Sequence, residues 1–179
     1  MINKKGRVRA LSVNVEDVLD LLRLYRHDLM NDLQLVQGYG SMKKHDVSME
    51  KLNQLITKLG EDRLLQTLDA PQLVYWLFHL KLNSRETKLE FDIEHNDQSL
   101  QPYDEIILND GKHLIQTFEK ELGSLSDLHI RIEIKYEDDW YIKYRIKGNE
   151  QIKDIVLNTD SKLMIENNEE ETSFVFSYK

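Results

Sequence analysis

The sequence contains no cysteine, which excludes a disulfide framework and a thiolate zinc site. It also lacks an apolar run long enough for a signal peptide or a membrane span, although its first residues, MINKKGRVRA, are basic. An excess of positive charge is absent as well: 32 acidic residues outnumber 24 basic ones and the net charge is −8, whereas non-specific nucleic-acid binding requires a basic surface. We therefore expect a cytoplasmic protein that binds neither nucleic acid nor a membrane.

The composition is that of a globular protein. Apolar residues make up 40% of the 179 residues and charged residues 31%, which is enough for a buried core and a solvated surface. We divide the chain into a basic N-terminal tail (residues 1–12), a helical hairpin (13–68) and a C-terminal α/β domain (69–179). The predicted fold class is α+β.

Helical spacing of apolar residues supports the predicted hairpin. The first stripe has members three, four or seven residues apart: Val15, Val18, Leu22, Tyr25, Leu29 and Val36. The segment KKHDVS interrupts it, and Asp46 or Ser48 is a suitable N-cap for a second helix. That helix carries Met49, Leu52, Leu55, Ile56 and Leu59.

Two helices alone cannot bury two apolar stripes fully. Pairing with a second copy would give a four-helix bundle, so we expect a homodimer. In the alternative interpretation, the C-terminal half of the same chain covers the stripe.

The apolar pattern changes after the segment LDAPQL. Asp69 is a suitable cap and Pro71 a suitable first-turn residue for a third helix. Alternating residues from Leu89 to Ile93 then predict a strand, and residues 103–122 predict a helix that ends at Gly123. Four further alternating segments complete a small domain with a mainly antiparallel sheet.

The segment YRHDLMNDLQL places a histidine on the outer face of the first helix. At about 100° per residue, His27 and Asn31 lie about 160° from Leu29, opposite the apolar stripe. Asp28 can orient the imidazole ring or accept its proton. Arg23 lies one turn toward the N-terminus, where its guanidinium can contact a phosphoryl oxygen. A neutral imidazole on a rigid helix is a suitable nucleophile for an activated phosphoryl group.

Residues 26–34, RHDLMNDLQ, followed by Gly38, resemble the phosphoacceptor motif of the sporulation initiation phosphotransferase B family. This family belongs to Bacillus-type phosphorelays and is related to sensor histidine kinases. The order of a helical hairpin and an α/β domain that resembles a degenerate kinase ATPase domain is similar as well.

The resemblance implies that His27 is the phosphorylated residue, assisted by Asp28 and Asn31. It implies phosphoryl exchange with the aspartates of response-regulator receiver domains, which would supply Mg²⁺. Arg23, Gln34 and Arg26 are the candidate phosphoryl or partner contacts. For Arg26, at the edge of the apolar stripe, a structural salt bridge is the preferred interpretation.

The scarcity of glycine argues against an ATP-dependent kinase. Nucleotide sites use glycine-rich turns, whereas Gly111, Gly123 and Gly148 are isolated and no D-x-G-x-G motif exists. We expect no bound cofactor and no metal site, and we interpret the other five histidines as structural or surface residues. The competing interpretation is a non-catalytic dimeric adaptor, or a kinase remnant, that binds a response regulator without phosphotransfer.

Overall fold

The computed structural model describes residues 14–83, 87–94 and 96–179. The predicted basic tail, the first residue of the predicted hairpin and His95 lie outside these ranges. Within these ranges, four α-helices and five strands follow one another, together with two short 3-10 helices, Gln101–Tyr103 and Glu150–Asp154. The α-helices and strands are α1 (Val15–Ser41), α2 (His45–Leu65), α3 (Pro71–Asn83), β1 (Lys88–Ile93), α4 (Asp104–Leu122), β2 (His129–Tyr136), β3 (Trp140–Lys147), β4 (Lys162–Asn167) and β5 (Thr172–Tyr178). The α+β prediction is confirmed.

Helices α1 and α2 form the hairpin, and a tight turn joins them. Lys43 takes a left-handed conformation with φ of 59°, which ends α1 abruptly. The predicted caps of α2 are wrong: α2 begins at His45 after an N-cap, Lys44, that makes no side-chain hydrogen bond. Asp46 lies within the first turn, and the Ser48 hydroxyl donates to the Val36 carbonyl over 2.8 Å. Ser48 therefore fastens α2 to α1.

The cap predicted for α3, Asp69, is also wrong, because the carboxylate that accepts from the first turn of α3 belongs to Asp104. Asp104 accepts hydrogen bonds from the backbone N–H groups of Gln72 and Leu73, over 3.0 Å and 2.8 Å. Asp69 instead accepts from the Ser99 hydroxyl and the Leu100 N–H group. The first residue of α4 thus caps α3, which fixes these two helices side by side.

The sheet has the order β1-β2-β3-β5-β4, and only the β1–β2 pair is parallel. Helices α3 and α4 cover one face, where strand residues such as Ile132, Tyr144 and Phe174 are fully buried together with Leu77 and Phe118. The opposite face carries charged residues in cross-strand ion pairs. This alternation follows from the period of two along each strand.

Three glycines of the C-terminal half have structural roles. Gly123 ends α4 with φ of 74°, and Gly148 has φ of 114°. A Cβ at Gly111 would lie 2.6 Å from the Tyr144 hydroxyl oxygen and 2.7 Å from the Trp76 ring, so only glycine fits there. None of the three belongs to a glycine-rich loop.

The apolar stripes of the hairpin are only partly covered in the single chain. Tyr25 packs edge-to-face on Phe78 of α3, and Leu21 touches the core, so the C-terminal half covers part of α1. Large apolar side chains nevertheless stay exposed along both helices. They are Val15, Val18, Leu19, Leu22, Met30, Leu33 and Leu35 on α1, and Met49, Ile56 and Leu64 on α2.

Candidate phosphoacceptor site

His27 is carried by α1, a long helix with a capped N-terminus. Its 27 residues begin after Asn14, whose side-chain oxygen accepts from the Glu16 N–H group, and two acidic residues follow in the first turn. His27 lies near the middle of this helix, away from the fraying ends. Its side chain is 55% exposed, as the helical period predicts.

Both polar neighbours of His27 approach the same ring nitrogen. The Asp28 carboxylate Oδ1 lies 3.4 Å from His27 Nδ1, and the Asn31 side-chain Nδ2 lies 3.3 Å from it. Nδ1 either carries a proton and donates to Asp28 or is unprotonated and accepts from Asn31. If Asn31 turns its amide, its oxygen can share the protonated Nδ1 with Asp28.

The Asp28 contact selects a chemically useful tautomer. A carboxylate only accepts, so it favours the proton on Nδ1 and leaves the lone pair of the neutral ring on Nε2. Within the described residues, Nε2 of His27 makes no hydrogen bond. Because the side chain is 55% exposed, this nitrogen is available to attack an incoming electrophile.

The other predicted site residues lie on the exposed side of α1. Arg23 is paired with Asp20, with Nη1 2.5 Å from Oδ1, and both side chains are largely exposed. Gln34 is exposed two turns beyond His27. Arg26 is exposed and makes no ion pair with any residue in the described ranges, so the salt bridge predicted for it is absent there.

Sequence reasoning missed a cluster of charged residues of which only Asp28 was predicted as a site residue. A cavity of about 240 Å³ lies between α1, α2, α3 and β1, and five charged side chains line it. They are Asp28, Asp32, Lys58, Asp62 and Lys81, and we call this space the interhelical cavity. Asp28 belongs both to this cavity and to the surroundings of His27.

Two ion pairs cross the interhelical cavity. Lys58 Nζ lies 2.9 Å from Asp32 Oδ2, and Lys81 Nζ lies 2.6 Å from the buried Asp62 Oδ1. The paired residues are 26 and 19 positions apart in sequence, so no local spacing reveals them. Burial lowers the pKa of Lys58, but the hydrogen bond to Asp32 and the surrounding negative charges outweigh this effect, and the net pKa is raised.

Of the other histidines, His45 and His113 are exposed, His79 contacts Asn83, and His129 pairs with Glu90. The described residues contain no group of three or more histidines and carboxylates placed to hold a metal ion. No helix in the described ranges is long and apolar enough to cross a membrane.

Comparison with known proteins found one matching family model and one curated relative. Residues 9–67 match the family model described as Sensor_kinase_SpoOB-type, alpha-helical domain. Over 119 residues, 66% of the chain, the sequence is 24% identical to sporulation initiation phosphotransferase B of Bacillus subtilis (strain 168), of which the match covers 62%. The chain thus spans less than two thirds of that relative.

One similar solved structure is histidine kinase ThkA, in a crystal structure with response regulator protein TrrA. The alignment covers 88% of this chain and 60% of that one, with 15% identity and a TM-score of 0.41. The family model covers α1 and α2, the hairpin that carries His27. The resemblance predicted from the His27 motif is therefore confirmed: the helical part of this chain matches the alpha-helical domain of SpoOB-type sensor kinases.

Proposed function

We propose that this chain is a histidine phosphotransferase of a phosphorelay, in which His27 carries a phosphoryl group between the aspartates of two response-regulator receiver domains. The observation that supports this most directly is the placement of His27. Its side chain is 55% exposed near the middle of α1, its Nε2 has no hydrogen-bond partner among the described residues, and Asp28 approaches Nδ1. The similarity to a protein named as a phosphotransferase supports the same reaction class.

The proposed reaction is a pair of in-line displacements. In the first, the lone pair on His27 Nε2 attacks the phosphorus of an aspartyl phosphate, the N–P bond forms, and the P–O bond to the donor carboxylate breaks. The ring gains positive charge while Nδ1 keeps its proton, and the Asp28 carboxylate stabilises that charge. In the second, an acceptor carboxylate attacks phosphorus and the N–P bond breaks. No net proton is consumed.

The remaining predicted residues have supporting roles in this proposal. Arg26, adjacent to His27 in sequence, makes no ion pair with the described residues and offers its charge to a phosphoryl oxygen, whereas the charge of Arg23 is partly balanced by Asp20. Asn31 and Gln34 lie on the same exposed face and contact the partner. We propose that the receiver domain supplies Mg²⁺ and that this chain binds no cofactor.

We also propose a cytoplasmic homodimer. The exposed apolar side chains of α1 and α2 run along both helices of one hairpin, and a second hairpin would cover them in a four-helix bundle. One face of the bundle would then present each of the two copies of His27. Sedimentation equilibrium, expected to give a particle of two chains, checks this arrangement.

The deciding experiment is phosphoryl transfer from a phosphorylated receiver domain to the purified protein. We expect acid-labile phosphate on the wild type and none on His27→Ala. His113→Ala, an exposed histidine on α4, is the matched control and should accept phosphate normally. If no receiver transfers phosphate but a receiver still binds, the chain is an adaptor or a kinase remnant. Labelling by ATP alone would also contradict the proposal, because it would show that the chain is an ATP-dependent kinase.

A further inference from the structure

A surface groove lies between α1, α3 and α4. Its volume is about 720 Å³, larger than that of the interhelical cavity. The floor is apolar, and each helix contributes two side chains to it. They are Leu21 and Leu24 from α1, Trp76 and Leu80 from α3, and Leu108 and Ile115 from α4. The pairs from α1 and α3 are only half-buried, so part of the floor is open to solvent. We call this space the three-helix groove.

The three-helix groove is distinct from the face of α1 that we assign to the dimer. At about 100° per residue, its α1 side chains lie roughly 120° around the helix from the exposed stripe of Val15, Val18 and Leu22. A second hairpin that packs on this stripe therefore leaves the groove open. A partly exposed apolar floor with a polar rim is typical of a binding site.

The rim of the groove is acidic. The lining contains the carboxylates of Asp17, Asp20 and Glu119 and one ammonium group, that of Lys112. Asp20 is paired with Arg23, whereas Asp17 and Glu119 make no ion pair with any described residue. A segment that combines positive charge with apolar side chains would complement this groove.

The segment that precedes α1 has this chemistry. The basic tail, residues 1–12, contains no acidic residue, and Ile2 and Val8 provide apolar side chains between its charged groups. The charged residues of the tail are Lys4, Lys5, Arg7 and Arg9. The sign of their charge is opposite to that of the groove rim.

The tail is also attached at a suitable place and is long enough. Five Cα–Cα steps separate Arg9 from Asn14, the N-cap of α1, and they can span roughly 17 Å. Asp17 lies only roughly 5 Å beyond Asn14 along the helix axis, and the groove continues for roughly 10 Å to Leu24. The covalent connection gives the tail a high effective concentration at the groove.

We propose that the three-helix groove is the binding site of the basic tail of the same chain. Basic side chains of the tail pair with Asp17 and Glu119, and its apolar side chains cover the floor around Trp76. The bound tail connects α1 with α3 and α4, one turn before His27. This interaction does not depend on the phosphoryl chemistry proposed for His27, so a failed phosphotransfer experiment leaves it standing.

Fluorescence quenching by acrylamide, a neutral molecule, tests this binding in the full chain. Trp76 lines the groove, whereas the other tryptophan, Trp140, is 3% exposed and adds little quenching. We expect Trp76 to be protected in the wild type and quenched more strongly after reversal of the tail charges. The ratio of bound to free tails should fall by roughly tenfold, the effect of losing a few exposed ion pairs. The tail-reversed chain carries Lys4→Glu, Lys5→Glu, Arg7→Glu and Arg9→Glu.

Charge reversal in the groove makes the test specific. A groove-reversed chain, with Asp17→Lys and Glu119→Lys, should lose the protection of Trp76 as well. Combining the reversed groove with the reversed tail should restore it, because the two charge patterns are complementary again. Glu105→Lys with Glu121→Lys, two exposed positions of α4 outside the groove lining, is the matched control and should follow the wild type.

Four results would overturn the proposal. The first is equal quenching in the wild type and the tail-reversed chain. The second is a folded combined variant, verified by circular dichroism, that does not regain protection. The third is protection in a dilute mixture of the groove-reversed and tail-reversed chains, since the tail of one copy then fills the groove of another. The fourth is protection that requires an added receiver domain. If the groove-reversed chain does not fold, the first comparison still decides.

Discussion

Helices α1 and α4 both have amphipathic sequences, but they differ in how far the single chain buries them. None of the 27 residues of α1 is buried, whereas eight of the 19 residues of α4 are, among them Leu114 and Phe118. Helix α4 has a sheet to pack on, while α1 meets only α2 and part of α3. Amphipathicity therefore identifies the apolar face of a helix, but it does not tell whether the surface that covers this face belongs to the same chain.

Truncation of the α4 core tests the buried side of this comparison and should have the largest effect. Phe118 is fully buried and contacts Phe174 edge-to-face, with 5.4 Å between ring centroids. We expect Phe118→Ala to lower the free energy of unfolding by about 3–5 kcal/mol, because it leaves a cavity. Urea denaturation measures this. Ile106→Ala, on the same helix but 44% exposed, is the control and should cost much less.

Removal of the cap that joins α3 to α4 should have an intermediate effect. We expect Asp104→Ala to cost about 1–2 kcal/mol, because it leaves the N–H groups of Gln72 and Leu73 without their acceptor. The same denaturation experiment applies. Glu105→Ala removes an exposed carboxylate of the first turn and should change stability little. An Asp104→Ala variant as stable as Glu105→Ala would show that water replaces the cap.

A charge on the open face of α1 should have the smallest effect on the single chain but a clear effect on assembly. Leu22 is 56% exposed. We expect Leu22→Asp to change the unfolding free energy of the dissociated chain by less than about 0.5 kcal/mol and to abolish the dimer, since it places a charge in the proposed interface. Sedimentation velocity measures the second effect. Arg23→Asp, on the outer face, should stay dimeric. A dimeric Leu22→Asp would place the interface elsewhere.

The sequence predicted best those features whose signals are local. The helical period placed His27 on the exposed face, strand alternation located the β-strands, and Gly123 marked the end of α4. Two of the misses concern partners that lie far apart in sequence. Asp104 caps α3 from 31 and 32 residues away, and Lys58 reaches Asp32 over 26 residues. Only the three-dimensional arrangement brings these groups together.

The wrong caps of α2 and α3 have different causes. Asp46 and Asp69 are residue types that favour N-caps, and each stands close to a helix start. The left-handed Lys43 makes the preceding turn so short that α2 begins before Asp46 can cap it. The Asp69 carboxylate accepts hydrogen bonds from Ser99 and Leu100 instead of from the first turn of α3.

The single parallel pair in the sheet has a consequence for how this chain folds. Strands β2 and β3 form a local hairpin, but β1 pairs with β2 only after the chain has passed through α4. The entropy of closing such a long loop must be offset before that pairing yields any gain. Strand β1 should therefore join the sheet late, once α4 has condensed on the β2–β3 hairpin. Because β1 contributes Leu89 to the cavity wall beneath Asp28, the surroundings of His27 would be completed among the last steps of folding.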